Sequence, residues 1–302
     1  MHKSMGASLY VPANHKHLLR IANGEKLPDA RSLIFCTEDS VADRDLGWAL
    51  FNLSVVLEHM RTDVAPERFV RVRSPEVLAR VLAMPGVHKL TGFVIPKATR
   101  HNFDAYYRQL RATGHMLMPT LETADVFSER EMEAFRDLLQ SPGVRGRILA
   151  LRIGGNDLLA LLGLRRPRGM TLYRTPLGPV IARLVTIFRP HGFMLTAPVF
   201  EHLDLPELLA QEVIEDIAYG MVGKTAIHPS QIVPIEEHYK VKAQDLAAAH
   251  AILDENSPAV FKMHDSMCEV ATHRAWAERT VAQSHLFGAH GATVLNTERE
   301  GP

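Results

Sequence analysis

The stretch MLMPTLETADVFSEREMEAFRDLLQSPGVRGRILALRIGGND, which covers Met116–Asp157, decides the fold class of this sequence. It begins and ends with short apolar runs, Met116–Pro119 and Ile148–Ile153, whose length is typical of buried strands. Between the two runs, Ala124–Leu139 has helical spacing. A strand, a helix and a second strand in this order predict two parallel strands joined by a helical crossover.

The same alternation continues in both directions, from the first residues to about Pro234. The further runs that we predict as strands are Ser8–Val11, Ser32–Cys36, Arg68–Val72, Gly92–Ile95, Gly192–Leu195 and Gly220–Val222. Predicted helices between them include Leu46–Met60 and Pro179–Phe188. Eight strands that are each followed by a helical connection predict an α/β fold, a (β/α)8 TIM barrel. The alternative, a doubly wound open sheet, lacks its G-x-G-x-x-G motif after the first strand.

The domain organisation follows from where this alternation stops. We predict a TIM-barrel catalytic domain over residues 1–236, a C-terminal helical extension or lid over 237–290 and a flexible tail over 291–302. Within the extension, Lys240–Leu253 and Met267–Gln283 have helical sequence. The extension is too small to be an independent domain, so we expect it to pack over the barrel or over a neighbouring subunit.

The composition narrows the class of protein. Of the 302 residues 46% are apolar, enough for a large core, and 34 Lys and Arg residues balance 34 Asp and Glu residues. A formal charge of zero argues against a nucleic-acid partner, which requires a basic surface. We expect the two cysteines, Cys36 and Cys268, to be free thiols. No apolar run reaches signal-peptide or membrane-spanning length, so we expect a cytoplasmic protein without a membrane partner.

Charged residues are concentrated just after the predicted strands, where a TIM barrel carries its chemistry. In chain order they are Glu38 and Asp39, Arg71 and Arg73, Lys97, Glu122, Asp157 and Lys224. Two of these residues also have a purely structural explanation. Asp157 could cap a helix, and the Glu122 carboxylate could interact favourably with the positive N-terminal end of a helix dipole. Together, they indicate one site at one end of the barrel.

Glu122 and Asp157 are the predicted metal ligands. They follow neighbouring strands, and Mg²⁺ commonly takes one or two protein carboxylates. No His-x-x-x-His or Cys-x-x-Cys spacing supports zinc. Arg71 would be buried in its strand and needs a carboxylate partner, either from the protein or from a substrate. Strand alternation places Arg73 on the same face, so both arginines are candidates.

Seven short motifs occur in the order found in the citrate-lyase β-subunit family. They are SLYVP (Ser8–Pro12), EDSV (Glu38–Val41), RVR (Arg71–Arg73), IPK (Ile95–Lys97), LETA (Leu121–Ala124), GNDL (Gly155–Leu158) and GKTAIHPSQ (Gly223–Gln231). The chain resembles this family, within the aldolase and citrate-lyase superfamily of barrels, to about Trp276. Arg73 stands where the family has asparagine, and Ile153 stands where it has phenylalanine, so the chain resembles a divergent branch.

The resemblance implies a carbon–carbon lyase that depends on Mg²⁺. Its substrate would be a β-hydroxyacyl thioester such as citryl-, malyl- or citramalyl-CoA, which it would cleave to a keto acid and an acyl-CoA or form from them. Glu122 and Asp157 match the family's magnesium ligands, Arg71 its substrate anchor, and Glu38 and Asp39 a catalytic pair beside the site. In the same motifs, the predicted substrate-binding residues are Arg71, Arg73, Lys97, Gly155 and Asn156.

The resemblance also implies an acid in a C-terminal lid, often contributed by the next subunit of a trimer. Family members carry an aspartate there, and this chain has Glu269 in Met267-Cys268-Glu269. Glu269 is therefore the candidate lid acid, with Asp265 as the alternative, and a homotrimer is expected. Two other functions stay open: a class II aldolase on free 4-hydroxy-2-oxo acids, and a non-catalytic barrel that binds keto acids.

Overall fold

The computed structural model describes residues 5–64 and 66–290. The chain forms two compact units, Met5–Ile235 and a C-terminal unit that begins at Glu236. This boundary lies one residue before the predicted one. The predicted tail over 291–302 lies outside the described residues. No described helix is long and apolar enough to cross a membrane.

The first unit is a barrel of eight parallel strands. These are β1 (Gly6–Pro12), β2 (Ser32–Cys36), β3 (Glu67–Arg71), β4 (Gly92–Ile95), β5 (Met116–Leu121), β6 (Leu151–Ile153), β7 (Leu195–Thr196) and β8 (Gly223–Ala226). Each strand from β1 to β6 pairs with the next, and β1 also pairs with β8. The barrel closes where the Ala197 N–H donates to the Gly223 carbonyl at 2.7 Å. The predicted TIM barrel is confirmed.

Helices follow the strands and cover the outside of the barrel. They are α1 (Leu18–Ala22), α2 (Leu46–His59), α3 (Pro75–Leu82), α4 (Phe103–Leu110), α5 (Glu129–Leu139), α6 (Gly155–Leu161), α7 (Leu177–Phe188), α8 (Pro206–Ala218) and α9 (Ile232–His238). The predicted helix Ala124–Leu139 is divided, because a 3₁₀ turn over Ala124–Phe127 ends at Ser128. Ser128 has extended backbone and its side chain accepts from the Glu131 N–H, so α5 begins there.

The last two barrel strands begin later than predicted. The predicted runs Gly192–Leu195 and Gly220–Val222 each open with a glycine at positive φ, +78° and +77°. At both positions the glycine belongs to a turn that precedes the strand. The strands therefore start at Leu195 and Gly223, and Lys224 lies inside β8.

Lys224 points out of the barrel, into a fully buried ion network. Its Nζ donates to Glu212 Oε1 and Asp216 Oδ2, both at 2.9 Å. Arg166 binds the other oxygen of Glu212 at 2.6 Å, and Tyr173 donates to Asp216 at 2.6 Å. Burial raises the pKa of Asp216 to about 6, although Lys224 acts to lower it. The network fixes α8 against β8, so Lys224 is not part of the strand-end cluster.

The barrel interior is apolar at its lower levels. Met5, Ile34, Phe69, Val94, Met118, Leu149 and Ala150 form one buried cluster, against which Tyr10, Met116 and Met194 pack. On β5, strand alternation places Thr120 and then Glu122 above Met118 on this inner face. The carboxyl ends of the strands therefore point polar side chains into the top of the barrel.

The C-terminal unit is built on two helices, α10 (Ala243–Leu253) and α11 (Val270–Phe287). Strand β9 (Val241–Lys242) pairs with β12 (Ala289–His290), and β10 (Val260–Met263) forms a hairpin with β11 (Ser266–Glu269). The predicted helix over Met267–Gln283 was wrong in its first turn, because Met267 belongs to β11. His264 and Asp265 form the hairpin turn, with φ of +48° and +60°.

Candidate active site

Six of the predicted site residues meet at the carboxyl ends of β2 to β6. They are Glu38, Asp39, Arg71, Lys97, Glu122 and Asp157, and they are joined by ion pairs of 2.6 to 3.8 Å. They come from five successive strand ends, which parallel pairing brings to one edge of the barrel.

Arg71 is the centre of this cluster. Its NH2 group lies 2.8 Å from Glu38 Oε2 and 3.0 Å from Glu122 Oε1, and its NH1 group lies 3.3 Å from Asp39 Oδ2. Burial alone would lower the pKa of Arg71, but Tyr10, Glu122 and Glu38 outweigh it and raise the pKa above its ordinary value. Arg71 is therefore a permanent cation that holds three carboxylates in place.

Lys97 adopts an unusual backbone conformation. Its φ is +47°, in the left-handed region that costs a non-glycine residue about 1 kcal/mol or more. In this conformation its N–H donates to Glu122 Oε1 at 2.8 Å. Its Nζ donates to Glu38 Oε1 at 2.6 Å and lies 3.8 Å from Asp157 Oδ1. Burial opposes the charge, but the bond to Glu38 prevails and raises the pKa of Lys97.

Glu38 and Asp39 form a pair whose pKa values move apart. Glu38 is buried, and burial raises its pKa even though Arg71 acts to lower it. Asp39 is exposed to solvent over more than half of its side chain. Partial burial acts to raise its pKa, but its bond with Glu38 and the charges of Arg71 and Lys97 lower it. Glu38 is thus the member of the pair that retains a proton more readily.

Glu122 and Asp157 each leave carboxylate oxygens free for a metal ion. Glu122 Oε1 accepts from Arg71 and Lys97, whereas Oε2 receives no hydrogen bond from the described residues. Gly154 makes room for this oxygen, since a Cβ at that position would lie 2.2 Å from Oε2. Within the described part of the chain, Asp157 has only the 3.8 Å ion pair with Lys97, and its side chain is one-third exposed. Such free carboxylate oxygens are the donors that Mg²⁺ prefers.

The net charge of the cluster also fits a divalent cation. The four carboxylates exceed the two cations, Arg71 and Lys97, by two formal charges when all of them are ionised. An ion of charge +2 at Glu122 and Asp157 would neutralise this excess. The donor set and the charge therefore fit magnesium.

A second group of potential ligands is less suitable. One ligand atom each from His101, Asp125 and Glu131 lies within 4.8 Å of the others. Both oxygens of Glu131 already bind Arg100, at 2.6 and 3.2 Å. An arginine in this position competes with a cation, so we assign no metal to this group.

The family of the chain is shown by a match over nearly its whole length. The family described as C-C_Bond_Lyase of the TIM-Barrel fold matches residues 1–289. The chain belongs to this carbon–carbon bond lyase family. The predicted enzyme class, a carbon–carbon lyase, and the resemblance to citrate-lyase β-like proteins are thereby confirmed.

Three proteins of known identity are similar to this lyase in sequence or structure. Human mitochondrial citramalyl-CoA lyase is 25% identical over 281 residues, which cover 86% of this chain and 77% of the relative. CitE from Mycobacterium tuberculosis, solved with magnesium, acetoacetate and coenzyme A, has a TM-score of 0.68 at 22% identity and covers 94% of this chain and 100% of that one. The M. tuberculosis citrate lyase β subunit with oxaloacetate and magnesium has a TM-score of 0.59 at 23% identity, with 79% and 98% covered. The two solved structures share the fold of this lyase.

Arg73 does not join the cluster of the lyase, and its contact with substrate stays a prediction. β3 ends at Arg71, so strand alternation does not extend to Arg73. Its guanidinium binds Asp43 and the carbonyls of Thr37, Glu38 and Val41. Arg73 therefore braces the loop that carries Glu38 and Asp39.

The remaining predicted site residues of the lyase make no ion pair with this cluster among the described residues. Gly155 begins α6 against Pro198, where a Cβ would come within 2.8 Å, and Asn156 donates to Glu201 at 3.2 Å. The two candidate lid acids belong to the C-terminal unit. There the Glu269 N–H donates to His273 Nδ1 at 3.1 Å, and Asp265 pairs with Lys262 at 2.7 Å.

Sequence reasoning missed two residues beside the cluster of the lyase, Tyr10 and Arg152. The ring of Tyr10 has the Cζ atoms of Arg71 and Arg152 at 5.7 and 5.5 Å from its centroid. Arg152 lies within the run Ile148–Ile153, which was predicted to be a buried strand. A charged residue inside such a run was the signal that could have identified it.

Proposed function

We propose that this lyase cleaves, or forms, the carbon–carbon bond of a β-hydroxyacyl-CoA thioester such as citryl-, malyl- or citramalyl-CoA. The products of cleavage would be a keto acid and an acyl-CoA. Mg²⁺ would be held by Glu122 and Asp157. The observation that carries the proposal is the pair of carboxylates with unbonded oxygens, Glu122 Oε2 and Asp157, in a cluster with two excess negative charges.

The relatives support the choice of substrate class and metal. One is named as a citramalyl-CoA lyase, and two solved relatives hold magnesium with a keto acid, one of them also with coenzyme A. The cluster offers what such a reaction requires. Cleavage removes the proton of the hydroxyl group, breaks the adjacent carbon–carbon bond and leaves its electrons on the thioester as an enolate.

In the proposed reaction, each residue of the cluster has a separate role. When bound, magnesium supplies Lewis-acid stabilisation of substrate oxygens. Arg71 orients the carboxylates of Glu38, Asp39 and Glu122, and Lys97 offers its Nζ to the oxyanion that develops when the hydroxyl proton leaves. Glu38, whose pKa is raised, can hold that proton until it returns to the enolate carbon. Glu269 of the lid is the second candidate for this transfer.

Substitution of Asp157 tests the proposal. Asp157→Asn keeps the size of the side chain and removes one ligand charge, so Mg²⁺ binding and cleavage of malyl- or citramalyl-CoA should both be lost. Calorimetry with Mg²⁺ and a thioester cleavage assay measure these two effects. Free 4-hydroxy-2-oxo acids assayed in parallel separate thioester lyase from aldolase activity. Full metal-dependent cleavage by the variant would refute the metal assignment.

We further propose a cytoplasmic homotrimer in which Glu269 acts on the site of the adjacent subunit. The support is the resemblance to the citrate-lyase β-subunit family. Glu269→Gln and Asp157→Asn proteins should each be inactive alone and should regain activity when their subunits are mixed, while light scattering gives the mass of a trimer. Inactivity of mixed oligomers would overturn action between subunits.

A further inference from the structure

Four polar side chains lie side by side on the inner face of the barrel, one level below Glu122. Thr120 of β5 pairs in register with Arg152 of β6, and Arg152 pairs with Thr196 of β7. Residues in register on parallel strands share a face. Arg152 approaches Met118 of the interior cluster at 4.0 Å, which shows that this face is the inner one. Thr225 of β8 completes the level, because Arg152 donates to its hydroxyl at 2.7 Å.

Arg152 is a buried cation without a counter-ion. It is 1% exposed and has no carboxylate within 4 Å among the described residues. Arg71 has three acidic partners, and the buried Arg166 has Glu212. A guanidinium withdrawn from water without an anion is costly. A bound anion would therefore stabilise the buried guanidinium of Arg152.

The hydroxyls on either side of Arg152 have no hydrogen-bond partner among the described residues. They are Thr120 Oγ1 and Thr196 Oγ1, and both are buried. Buried hydroxyls without a hydrogen-bond partner are uncommon, and a bound ligand would supply the missing partner. A hydroxyl can donate to an anion, so Arg152, Thr120 and Thr196 present donors from three adjacent strands.

The position of these donors matches a second carboxylate of a substrate held at the metal pair. Thr120 lies on β5 and Glu122 directly follows its last residue, Leu121, so the rise along the chain separates their levels by about 7 Å. Arginine and glutamate side chains extend into that gap. The two carboxylates of a short diacid, separated by three carbon–carbon bonds of about 1.5 Å, fit between the levels.

We infer that Arg152, with Thr120 and Thr196, binds a carboxylate that lies away from the metal, so that the keto acid of this lyase is a diacid of the oxaloacetate type. A monoacid such as pyruvate leaves Arg152 without its anion. The inference rests on the proposed function and narrows its substrate class. The ring of Tyr10 is only partly buried, and its centroid lies 5.5 Å from Cζ of Arg152.

Calorimetry with Mg²⁺ and either oxaloacetate or pyruvate tests the inference. The wild-type protein should bind oxaloacetate at least tenfold more tightly than pyruvate, since hydrogen bonds between charged groups are strong. Arg152→Met should bind both acids with the affinity for pyruvate while its Mg²⁺ affinity stays the same. Thr196→Val should weaken oxaloacetate binding several-fold and leave pyruvate binding unchanged.

A structural role for Arg152 predicts a different pattern. If Arg152 only supports the barrel, Arg152→Met unfolds at a lower urea concentration and keeps the preference for oxaloacetate. If it awaits an anion, the unliganded variant is as stable as the wild type or more so, because an unpaired buried charge has been removed. Arg68→Met is the matched control, since Arg68 is another buried arginine that bonds to the carbonyls of Ala22 and Arg61. The control should keep the wild-type preference.

The outcomes separate this inference from the proposed function. Mg²⁺-dependent binding of both acids with equal affinity overturns the diacid inference and leaves the lyase proposal standing. Absence of metal and keto-acid binding in the wild-type protein overturns both. Loss of the oxaloacetate preference in Arg152→Met alone, with Arg68→Met unchanged, supports the diacid site.

Discussion

The backbone N–H of Lys97 donates to Glu122 Oε1 at 2.8 Å, and it does so from a left-handed φ of +47°. This bond links the end of β4 to the end of β5. The same backbone conformation directs Nζ of Lys97 toward Glu38 at 2.6 Å. Backbone strain at one residue thus serves two acids of the site, as is typical of positions with a functional constraint.

Removal of the Lys97 ammonium should lower turnover without disturbing the fold. Lys97→Met keeps the backbone bond to Glu122 but loses the donor to the developing oxyanion, so kcat should fall about a hundredfold. Steady-state kinetics and far-UV circular dichroism measure the two effects. Lys89→Met is the control, because Lys89 bonds to the carbonyls of Glu58 and Met60, away from the site, and its loss should leave kcat unchanged. Wild-type turnover in Lys97→Met would contradict this role.

A methyl group at Gly154 should impair metal binding. Its Cβ would lie 2.2 Å from Glu122 Oε2 and 2.5 Å from Glu122 Cβ, so Gly154→Ala must displace the free oxygen of the acid. We expect the Mg²⁺ affinity to fall at least about tenfold, which corresponds to about 1.4 kcal/mol. Calorimetry with Gly146→Ala as control tests this, because a Cβ at Gly146 would contact none of the described residues beyond its chain neighbours within 4 Å. Equal affinities in the two variants would exclude the contact as a determinant.

Arg73 should support activity through the loop that it braces. Arg73→Met removes bonds to Asp43 and to three carbonyls, so residues 37–43 should exchange their amide hydrogens faster. Unfolding should become easier by about 1–3 kcal/mol, the usual cost of leaving such groups unpaired. Hydrogen exchange and urea denaturation measure these changes. A direct contact with substrate would instead raise KM and leave the exchange of this loop unaltered.

Asp216 should make the stability of the barrel depend on pH between about 4 and 6. Its pKa is about 6 in the folded protein and 3.8 ordinarily, so in this range the folded state keeps a proton that the unfolded state has released. Its contribution therefore favours folding at the acid end and declines by about 3 kcal/mol as the pH rises to 6. Urea denaturation of Asp216→Asn should show this component missing. The exposed Asp104→Asn serves as control, and an unchanged pH profile in Asp216→Asn would refute the assignment.

The barrel and the membership of the cluster were predictable because both follow from local patterns. Apolar runs alternate with helical spacing, and parallel strands gather their carboxyl ends, so Glu38, Arg71, Glu122 and Asp157 could be expected to meet. The direction in which the Lys224 and Arg73 side chains point was not predictable, because it depends on the residue at which a strand starts or ends. A shift of one residue turns a side chain to the opposite face. The sequence marks Arg152 as a charged residue inside a strand run, but the absence of a carboxylate partner for it among the described residues depends on tertiary contacts, as does the left-handed backbone of Lys97.

Glu122 and Asp157 differ in how firmly the fold retains them. Glu122 receives Arg71 from β3 and the Lys97 N–H from β4, and it fills the space left by Gly154 after β6, so it fastens four strand ends together. Asp157 accepts no hydrogen bond from the described residues, so we expect its replacement to leave the barrel intact. A member of this family that abandoned catalysis would thus keep its glutamate as a structural fastener and be free to lose its aspartate. The residue at position 157 is consequently the better diagnostic of whether a barrel of this kind is still an enzyme.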